Sequence, residues 1–85
     1  MDTKYFKITS NETIIYAREK IIDLIAIGQL ARNWHHAKFV NIEPAIYKKK
    51  ERWKIIFQIS NESEIRKLFL YFSANGDFEA ANFND

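Results

Sequence analysis

The chain has 85 residues, of which 47% are hydrophobic and 15% aromatic, and its formal net charge is +2. This length predicts a single domain over residues 1–85 with a small core, and the absence of cysteine excludes disulfides and thiolate metal sites as compensation. So small a charge does not by itself indicate nucleic acid. The first residues lack the apolar segment of a signal peptide, and no apolar run reaches the ~18 residues of a membrane span. We therefore expect a cytoplasmic protein that does not enter a membrane.

The N-terminal third predicts a short strand followed by one long helix. Residues 4–8 alternate as a strand does, and Thr9 and Glu12 then have the spacing of a capping box before an apolar run. From Ile14 to Ala31 the apolar residues recur with the period of a helix. Gly28 lies on the apolar face of this helix, where the missing side chain predicts close packing against the sheet or an aromatic ring.

The rest of the chain predicts strands. Residues 39–47 alternate but contain Pro44, which cannot donate a hydrogen bond within a sheet, so we expect an edge strand or a bulge there. Residues 48–51 form a polar turn. Residues 52–60 then alternate cleanly, and Trp53 falls on their apolar, core-facing side.

Residues 64–73 fit either a strand or a helix, because residues 61–64 can act as a turn between strands or as a helix cap. We favour the strand, since its second half is dense in aromatic side chains and leads into Asn75-Gly76. That dipeptide is the strongest short signal for a hairpin. It predicts a two-residue type I′ turn with residues 77–83 as the returning strand.

The element order is therefore β-α-β-β-β-β, an α+β fold in which one long N-terminal helix packs on a four- to five-stranded antiparallel sheet. This architecture resembles the cystatin-like and PepSY-like modules, in which a helix lies across a curved antiparallel sheet. The hairpin YFSANGDFEA is similar to the terminal strand-turn-strand of the PepSY-like modules. The resemblance implies the fold and carries no function with it.

The stretch NWHHAK, residues 33–38, holds both histidines and is the candidate for a metal or catalytic site. His35 and His36 are adjacent, so their imidazoles diverge on a strand and on a helix alike. Zinc usually takes three or four protein ligands, and the chain offers neither a third histidine nor a cysteine. We therefore interpret the stretch as the corner between helix and sheet, where a histidine contacts the last helical carbonyls.

Other catalytic patterns are missing from the sequence as well. No serine lies in a nucleophile motif, the carboxylates of the 61–64 turn face solvent, and two glycines cannot build a loop that cradles phosphate. The sequence therefore predicts neither an enzyme nor a bound cofactor or metal.

Two apolar surfaces are predicted to bind a partner, because one helix cannot cover both faces of a sheet. The first is the outer face of the sheet, with Ile56, Phe69, Tyr71 and Phe78. The second lies on the helix opposite its core face, with Tyr16, Ile27, Leu30 and Trp34. The alternative to a partner is that the N-terminal strand or the C-terminal tail covers these residues.

The sequence thus predicts a protein–protein binding module that associates with another protein or, as a homodimer, with itself. Its size is typical of inhibitors, immunity or antitoxin proteins and phage-encoded adaptors. Two alternatives stay open: a small-ligand carrier with a pocket between helix and sheet, and a nucleic-acid binder in which lysines meet phosphates and Tyr47 stacks on bases. The nucleic-acid candidate uses the basic turn, residues 48–54, whose cations are Lys48, Lys49, Lys50, Arg52 and Lys54.

Overall fold

The computed structural model describes residues 6–61 and 63–84. Its elements are helix α1 (Ser10–Ala26), a 3₁₀ helix (Arg32–His36) and the strands β1 (Lys38–Tyr47), β2 (Lys50–Ser60), β3 (Ile65–Phe72) and β4 (Phe78–Asn84). The strands form one antiparallel sheet in the order β1-β2-β3-β4. The predicted α+β fold, one helix on an antiparallel sheet, is confirmed. The strand predicted over residues 4–8 lies partly outside the described residues, and residues 6–8 are not in a strand.

Helix α1 begins where the capping box predicts. The Thr9 hydroxyl accepts a hydrogen bond from the Glu12 N–H at 3.1 Å, and the Glu12 carboxylate accepts one from the Thr9 N–H at 2.8 Å. These bonds satisfy amide groups that have no partner inside the helix. The buried Thr13 hydroxyl also donates to the Thr9 carbonyl oxygen at 2.7 Å. The first turn is therefore stabilised by exposed hydrogen bonds through Glu12 and by a partly buried one through Thr13.

The helix ends at Ala26, earlier than the period of apolar residues predicts. Gly28 has a φ of +82°, a left-handed conformation that glycine adopts without steric cost. The Gly28 N–H donates to the Ile25 carbonyl at 3.1 Å and the Gln29 N–H to the Leu24 carbonyl at 2.8 Å, the Schellman pattern of a helix C-terminus. Apart from the glycine and its two chain neighbours, no described residue has an atom within 4 Å of where a Gly28 Cβ would stand. The prediction that Gly28 packs closely within the helix was wrong, because its role is to end the helix.

The core lies between α1 and one face of the sheet. Along β2 and β3, buried residues alternate with half-buried ones, so every second side chain faces the helix. Trp53 is buried as predicted, and its indole N–H donates to the Ile8 carbonyl oxygen at 3.3 Å. The sheet contributes to this core Trp53, Ile55, Phe57, Ile59, Leu68, Leu70 and Phe72.

The 3₁₀ helix turns the chain from α1 into β1. Trp34 at its centre is buried in the core, whereas His35 and His36 are exposed. The Arg18 guanidinium of α1 donates to the Ala37 carbonyl oxygen at 2.7 Å, which ties the end of this segment to the helix. The position of NWHHAK at the corner between helix and sheet is therefore confirmed. The predicted contact of a histidine with the last helical carbonyls is not found among the described residues, because α1 ends at Ala26 and both histidines lie in the separate 3₁₀ helix.

Strand β1 is an edge of the sheet, as the proline in its sequence predicts. Its register against β2 shifts between Phe39 and Asn41, whereas Pro44 stands in regular pairing opposite Trp53. The bulge of this strand therefore precedes the proline.

Residues 65–72 form a strand, so the preferred interpretation of this segment is confirmed over the helical one. The Asn61 side-chain oxygen accepts hydrogen bonds from the N–H groups of Ser63 and Glu64, both at 3.0 Å. The Asn61 N–H donates to the Glu64 carbonyl, also at 3.0 Å. The asparagine thus closes a turn between two strands and does not cap a helix.

The two remaining hairpins differ in the length and type of their turns. Lys48 and Lys49 have φ values of 52° and 68° and form a two-residue loop with Tyr47 opposite Lys50. Positive φ at both loop residues defines a type I′ turn, the type usually supplied by Asn-Gly. Lysine in this conformation is less favourable than glycine.

The Asn75-Gly76 hairpin has a three-residue loop and not the predicted two-residue one. The Ser73 N–H donates to the Asp77 carbonyl at 2.8 Å, and the Gly76 N–H donates to the Ser73 carbonyl at 3.0 Å. Within this loop only Gly76 has a positive φ, +97°. This is a type I turn followed by a left-handed glycine, and it sets Phe78 opposite Phe72. A register shift between Tyr71 and Phe72 then restores the pairing that a two-residue loop would give, with Tyr71 opposite Ala80.

Candidate functional site

The sheet face turned away from α1 gathers apolar and cationic side chains. The register sets Ile56 opposite Phe69 and Lys54 opposite Tyr71. These side chains are half-buried. Among the described residues, α1 and the 3₁₀ helix both pack against the opposite side of the sheet, so neither helix covers this one. We call this surface the outer face, and its central residues are Tyr47, Arg52, Lys54, Ile56, Phe69 and Tyr71.

The aromatic side chains of the outer face are held by specific contacts. The rings of Tyr47 and Tyr71 are stacked, with centroids 4.4 Å apart and an interplanar angle of 16°. The Lys54 ammonium lies 4.3 Å from the centroid of the Phe69 ring, within the range of a cation–π interaction. Burial, and secondarily the neighbouring Tyr47, raises the pKa of Tyr71 above its ordinary value of 10.0. The Tyr71 phenol is therefore neutral near pH 7 and able to donate a hydrogen bond to a bound partner.

Cations outnumber carboxylates around these aromatic residues. Arg52 pairs with Glu79 at 2.9 Å, donates to the Glu51 carbonyl oxygen at 3.3 Å, and has a buried Nε with no hydrogen-bond partner among the described residues. Lys54 stands opposite Glu43 on β1. The cations of the face are Lys38, Lys50, Arg52, Lys54 and Lys67, and its carboxylates are Glu43 and Glu79. The outer face is therefore net basic.

Three of the residues predicted for the outer face lie on it, and Phe78 does not. Because the hairpin loop has three residues, Phe78 stands opposite Phe72 on the helix side and not opposite Ser73. Its ring contacts the Phe72 ring edge-on at 5.6 Å, and the Lys20 ammonium of α1 lies 4.9 Å from its centroid. The prediction for Phe78 was therefore wrong. The residues placed as predicted are Ile56, Phe69 and Tyr71.

The prediction of a second apolar surface on the helix was wrong. Since α1 ends at Ala26, later residues leave the helical wheel on which the prediction depended. Leu30 and Trp34 are buried in the core and cannot contact a partner. Tyr16 and Ile27 are exposed but lie about three helical turns apart, with no other member of the set between them. The four residues do not form one surface.

The basic turn is continuous with the outer face. Lys48 and Lys49 lie in the turn, and the Lys48 ammonium is 5.6 Å from the centroid of the Tyr47 ring. Trp53 faces the core, whereas Arg52 and Lys54 on either side of it belong to the outer face. The predicted nucleic-acid cluster is thus one end of the larger surface. Its members are Lys48, Lys49, Lys50, Arg52 and Lys54.

The described part of the chain holds neither a cluster of metal ligands nor a membrane-spanning helix. No group of three or more histidine, aspartate or glutamate side chains there could hold a metal ion. No helix in residues 6–61 and 63–84 has both the length and the apolar character required to cross a membrane.

The Tyr47–Tyr71 stack was not foreseen as part of the outer face. From the sequence, Tyr47 was predicted only as an exposed ring that could stack on bases beside the lysines of the basic turn. Its partner lies on β3, two strands away in the sheet. The signal that could have located it is the alternation of β1, which places Tyr47 on the same side as Asn41, Glu43 and Ala45.

Comparison with known proteins assigns the chain to a family. Searches of curated proteins and of solved structures gave no match. Residues 2–85 match the family described as "Family of unknown function (DUF6488)". Because this match covers nearly the whole chain, the protein belongs to the DUF6488 family.

Proposed function

We propose that the protein is a non-enzymatic binding module whose outer face docks an acidic surface of a partner protein. The observation that carries the proposal is the group of half-buried aromatic side chains at the centre of that face, Tyr47, Phe69 and Tyr71. An antiparallel sheet that faces water on one side is normally polar there. Apolar and aromatic residues in the middle of such a face mark an interaction surface.

The arrangement of the face matches the anatomy of a protein interface. Aromatic and arginine side chains supply most of the binding free energy at the centre of interfaces, and polar residues surround them. Here the surrounding residues are mainly cationic, with Lys38, Lys50 and Lys67 at the margins. A partner of complementary charge is acidic, and the cations increase its rate of association.

A matched pair of charge substitutions tests the proposal. Phe69→Glu places a carboxylate in the outer face, and Ile15→Glu places one on the exposed side of α1 as a control. A protein captured with the wild type is purified, and its Kd for each variant is measured by calorimetry. We expect Phe69→Glu to weaken binding at least about tenfold, or 1.4 kcal/mol, and Ile15→Glu to leave it unchanged.

Two results would contradict the proposal. One is a Kd that is the same for Phe69→Glu as for the wild type, which would place the partner elsewhere. The other is a captured protein whose contact surface is basic, since the charge argument would then have the wrong sign.

Nucleic acid is the second candidate, because the basic turn adjoins stackable rings on the same face. A single-stranded oligonucleotide that bound there through several phosphates would lose about tenfold or more in affinity between 50 and 200 mM salt. We expect no binding at physiological salt, measured by fluorescence anisotropy. A salt-dependent complex that is lost in Lys49→Glu and Lys50→Glu variants would favour this candidate over the first.

A further inference from the structure

The two edge strands of the sheet differ in their protection against pairing with another strand. β1 contains Pro44 and the register shift between Phe39 and Asn41, both of which discourage the addition of a strand. β4 contains neither proline nor lysine. Its register shift against β3 lies at its start, between the Phe72–Phe78 and Tyr71–Ala80 pairs, and its pairing is regular from Ala80 to Asn84. Among the described residues, no strand pairs with the outer edge of β4. This edge therefore offers free N–H and C=O groups in regular order.

An apolar cleft of about 240 Å³ lies beside this edge on the helix side of the sheet. One wall comes from the end of α1 and the turn after it, and the other from β3 and β4. The apolar lining residues are Leu24, Leu30, Leu68, Phe78, Ala81 and Phe83. Ala81 is the small residue among them and leaves open the space that a larger side chain would fill.

A cation lies against the aromatic residue at each end of the cleft. The Lys20 ammonium is 4.9 Å from the centroid of the Phe78 ring, and the Arg66 guanidinium is 4.9 Å from the centroid of the Phe83 ring. Phe78 and Phe83 stand opposite Phe72 and Leu68 of β3, which are four residues apart, so the two rings lie about 13 Å apart along the sheet edge. The register shift between these pairs keeps both on the helix side. In a strand added beside β4, side chains on the helix side recur every second residue, so positions i and i+4 are about 13 Å apart. Acidic side chains at these positions, with an apolar one between them, complement the cations and the cleft.

We propose that β4 accepts an extended acidic segment of a partner protein as an additional strand. Main-chain hydrogen bonds to the edge of β4 supply affinity, and the cleft selects an apolar side chain flanked by two carboxylates, which pair with Lys20 and Arg66. This surface is separate from the outer face, so the inference extends the proposed function without depending on the site that it names.

A short synthetic peptide tests the inference. The probe is acetyl-Glu-Thr-Leu-Thr-Glu-amide, and its binding is followed by the shifts of backbone amide signals in NMR titrations. We expect the largest shifts in β4, from Ala80 to Asn84. Peptides that are N-methylated at either alternate set of amides control for main-chain pairing, and we expect one of the two sets to abolish binding.

A matched pair of variants tests the cleft itself. Ala81→Leu fills the cleft and should weaken the peptide at least tenfold, whereas Ala80→Leu adds the same side chain on the opposite face of the same strand and should not. The double substitution Lys20→Glu and Arg66→Glu should weaken the Glu peptide and strengthen a Lys-Thr-Leu-Thr-Lys peptide. This exchange of charge keeps the inference testable if Ala81→Leu impairs folding.

The results that overturn the inference are definite. They are an absence of shifts in β4, equal binding of both N-methylated peptides, or unchanged affinity in the charge-exchanged protein. Phe69→Glu should leave peptide binding intact, so failure of the outer face and failure of the β4 edge are distinguished in the same set of titrations.

Discussion

Strands β2 and β3 carry a row of apolar residues on their helix side and a shorter row on their outer side, and the surroundings of the two rows are opposite. On the helix side Phe57 and Leu70 are 0% exposed, whereas Phe69 and Tyr71 on the outer side are half-buried. In β3 the alternation of the sequence does not distinguish these rows, because both parities of the strand are apolar, whereas in β2 it does. The difference arises from α1, which packs on one side only. The same residue types therefore stabilise the fold on one face and are accessible for binding on the other.

The largest expected effect is a loss of stability in the helix-side row. Phe57→Ala removes a ring that contacts Phe39, at 6.0 Å between centroids, and the Arg18 guanidinium, at 4.7 Å. The resulting cavity should lower the free energy of unfolding by about 3–5 kcal/mol, a large part of the stability of a small domain. Urea denaturation measures it. Phe69→Ala is the control on the outer row, where we expect about 1 kcal/mol or less. If the two variants lost equal amounts of unfolding free energy, the outer row would be as much a part of the core as the helix-side row, and the comparison would be wrong.

The second effect concerns association and not stability. Phe69→Glu and Tyr71→Glu place a carboxylate where solvent reaches it, so the folded state should persist while association with a partner, or with a second copy, is lost. Circular dichroism and light scattering measure the two properties separately. If these residues were core, the buried charge would cost several kcal/mol and unfold the domain. Loss of fold together with loss of association would therefore contradict the assignment of the outer face, and retention of both would show that the face binds nothing.

A smaller effect is expected in the loops that set the two rows in register. A Cβ at Gly76 would lie 3.3 Å from two side-chain atoms of Ile8, and its φ of +97° disfavours any L side chain. Gly76→Ala should therefore destabilise the fold by about 1–2 kcal/mol. Lys49→Gly relieves a left-handed lysine and should stabilise by about 0.5–1 kcal/mol. Thermal unfolding of both variants tests this, and effects of equal sign would contradict the assigned backbone conformations.

Local signals predicted those elements whose partners are near in sequence. The capping box of Thr9 and Glu12 located the start of α1, and the alternation around Trp53 located the core side of β2. The end of α1 was missed because Gly28 and Ala31 continue the period of the core face, although the helix ends at Ala26. Leu30 and Trp34, which the helical wheel sets on the opposite face, reach the core by another route. They do so through the turn at Gly28 and the 3₁₀ helix. A periodic pattern records which residues are buried and does not fix the backbone that buries them.

The outer face could be predicted in part for a similar reason. Asn75-Gly76 indicates a hairpin, but two-residue and three-residue loops share that signal, and one residue of difference moved Phe78 to the opposite face. The cleft beside β4 could not be predicted at all, because it depends on where the end of α1 lies above Ala81. Contacts between elements distant in sequence require the assembled fold.

The smallest effect is expected at the histidines, and it contrasts with their immediate neighbour. His35 and His36 are exposed at the end of the 3₁₀ helix, so His35→Ala and His36→Ala should change stability by no more than about 0.5 kcal/mol and leave binding intact. Trp34→Ala in the same segment removes a side chain that is 1% exposed and should cost about 3–5 kcal/mol. We also expect elemental analysis to find no stoichiometric metal in the purified protein, since two adjacent imidazoles diverge and zinc needs further ligands. Stoichiometric zinc or nickel that disappears in either histidine variant would replace the structural interpretation of this corner with a metal site.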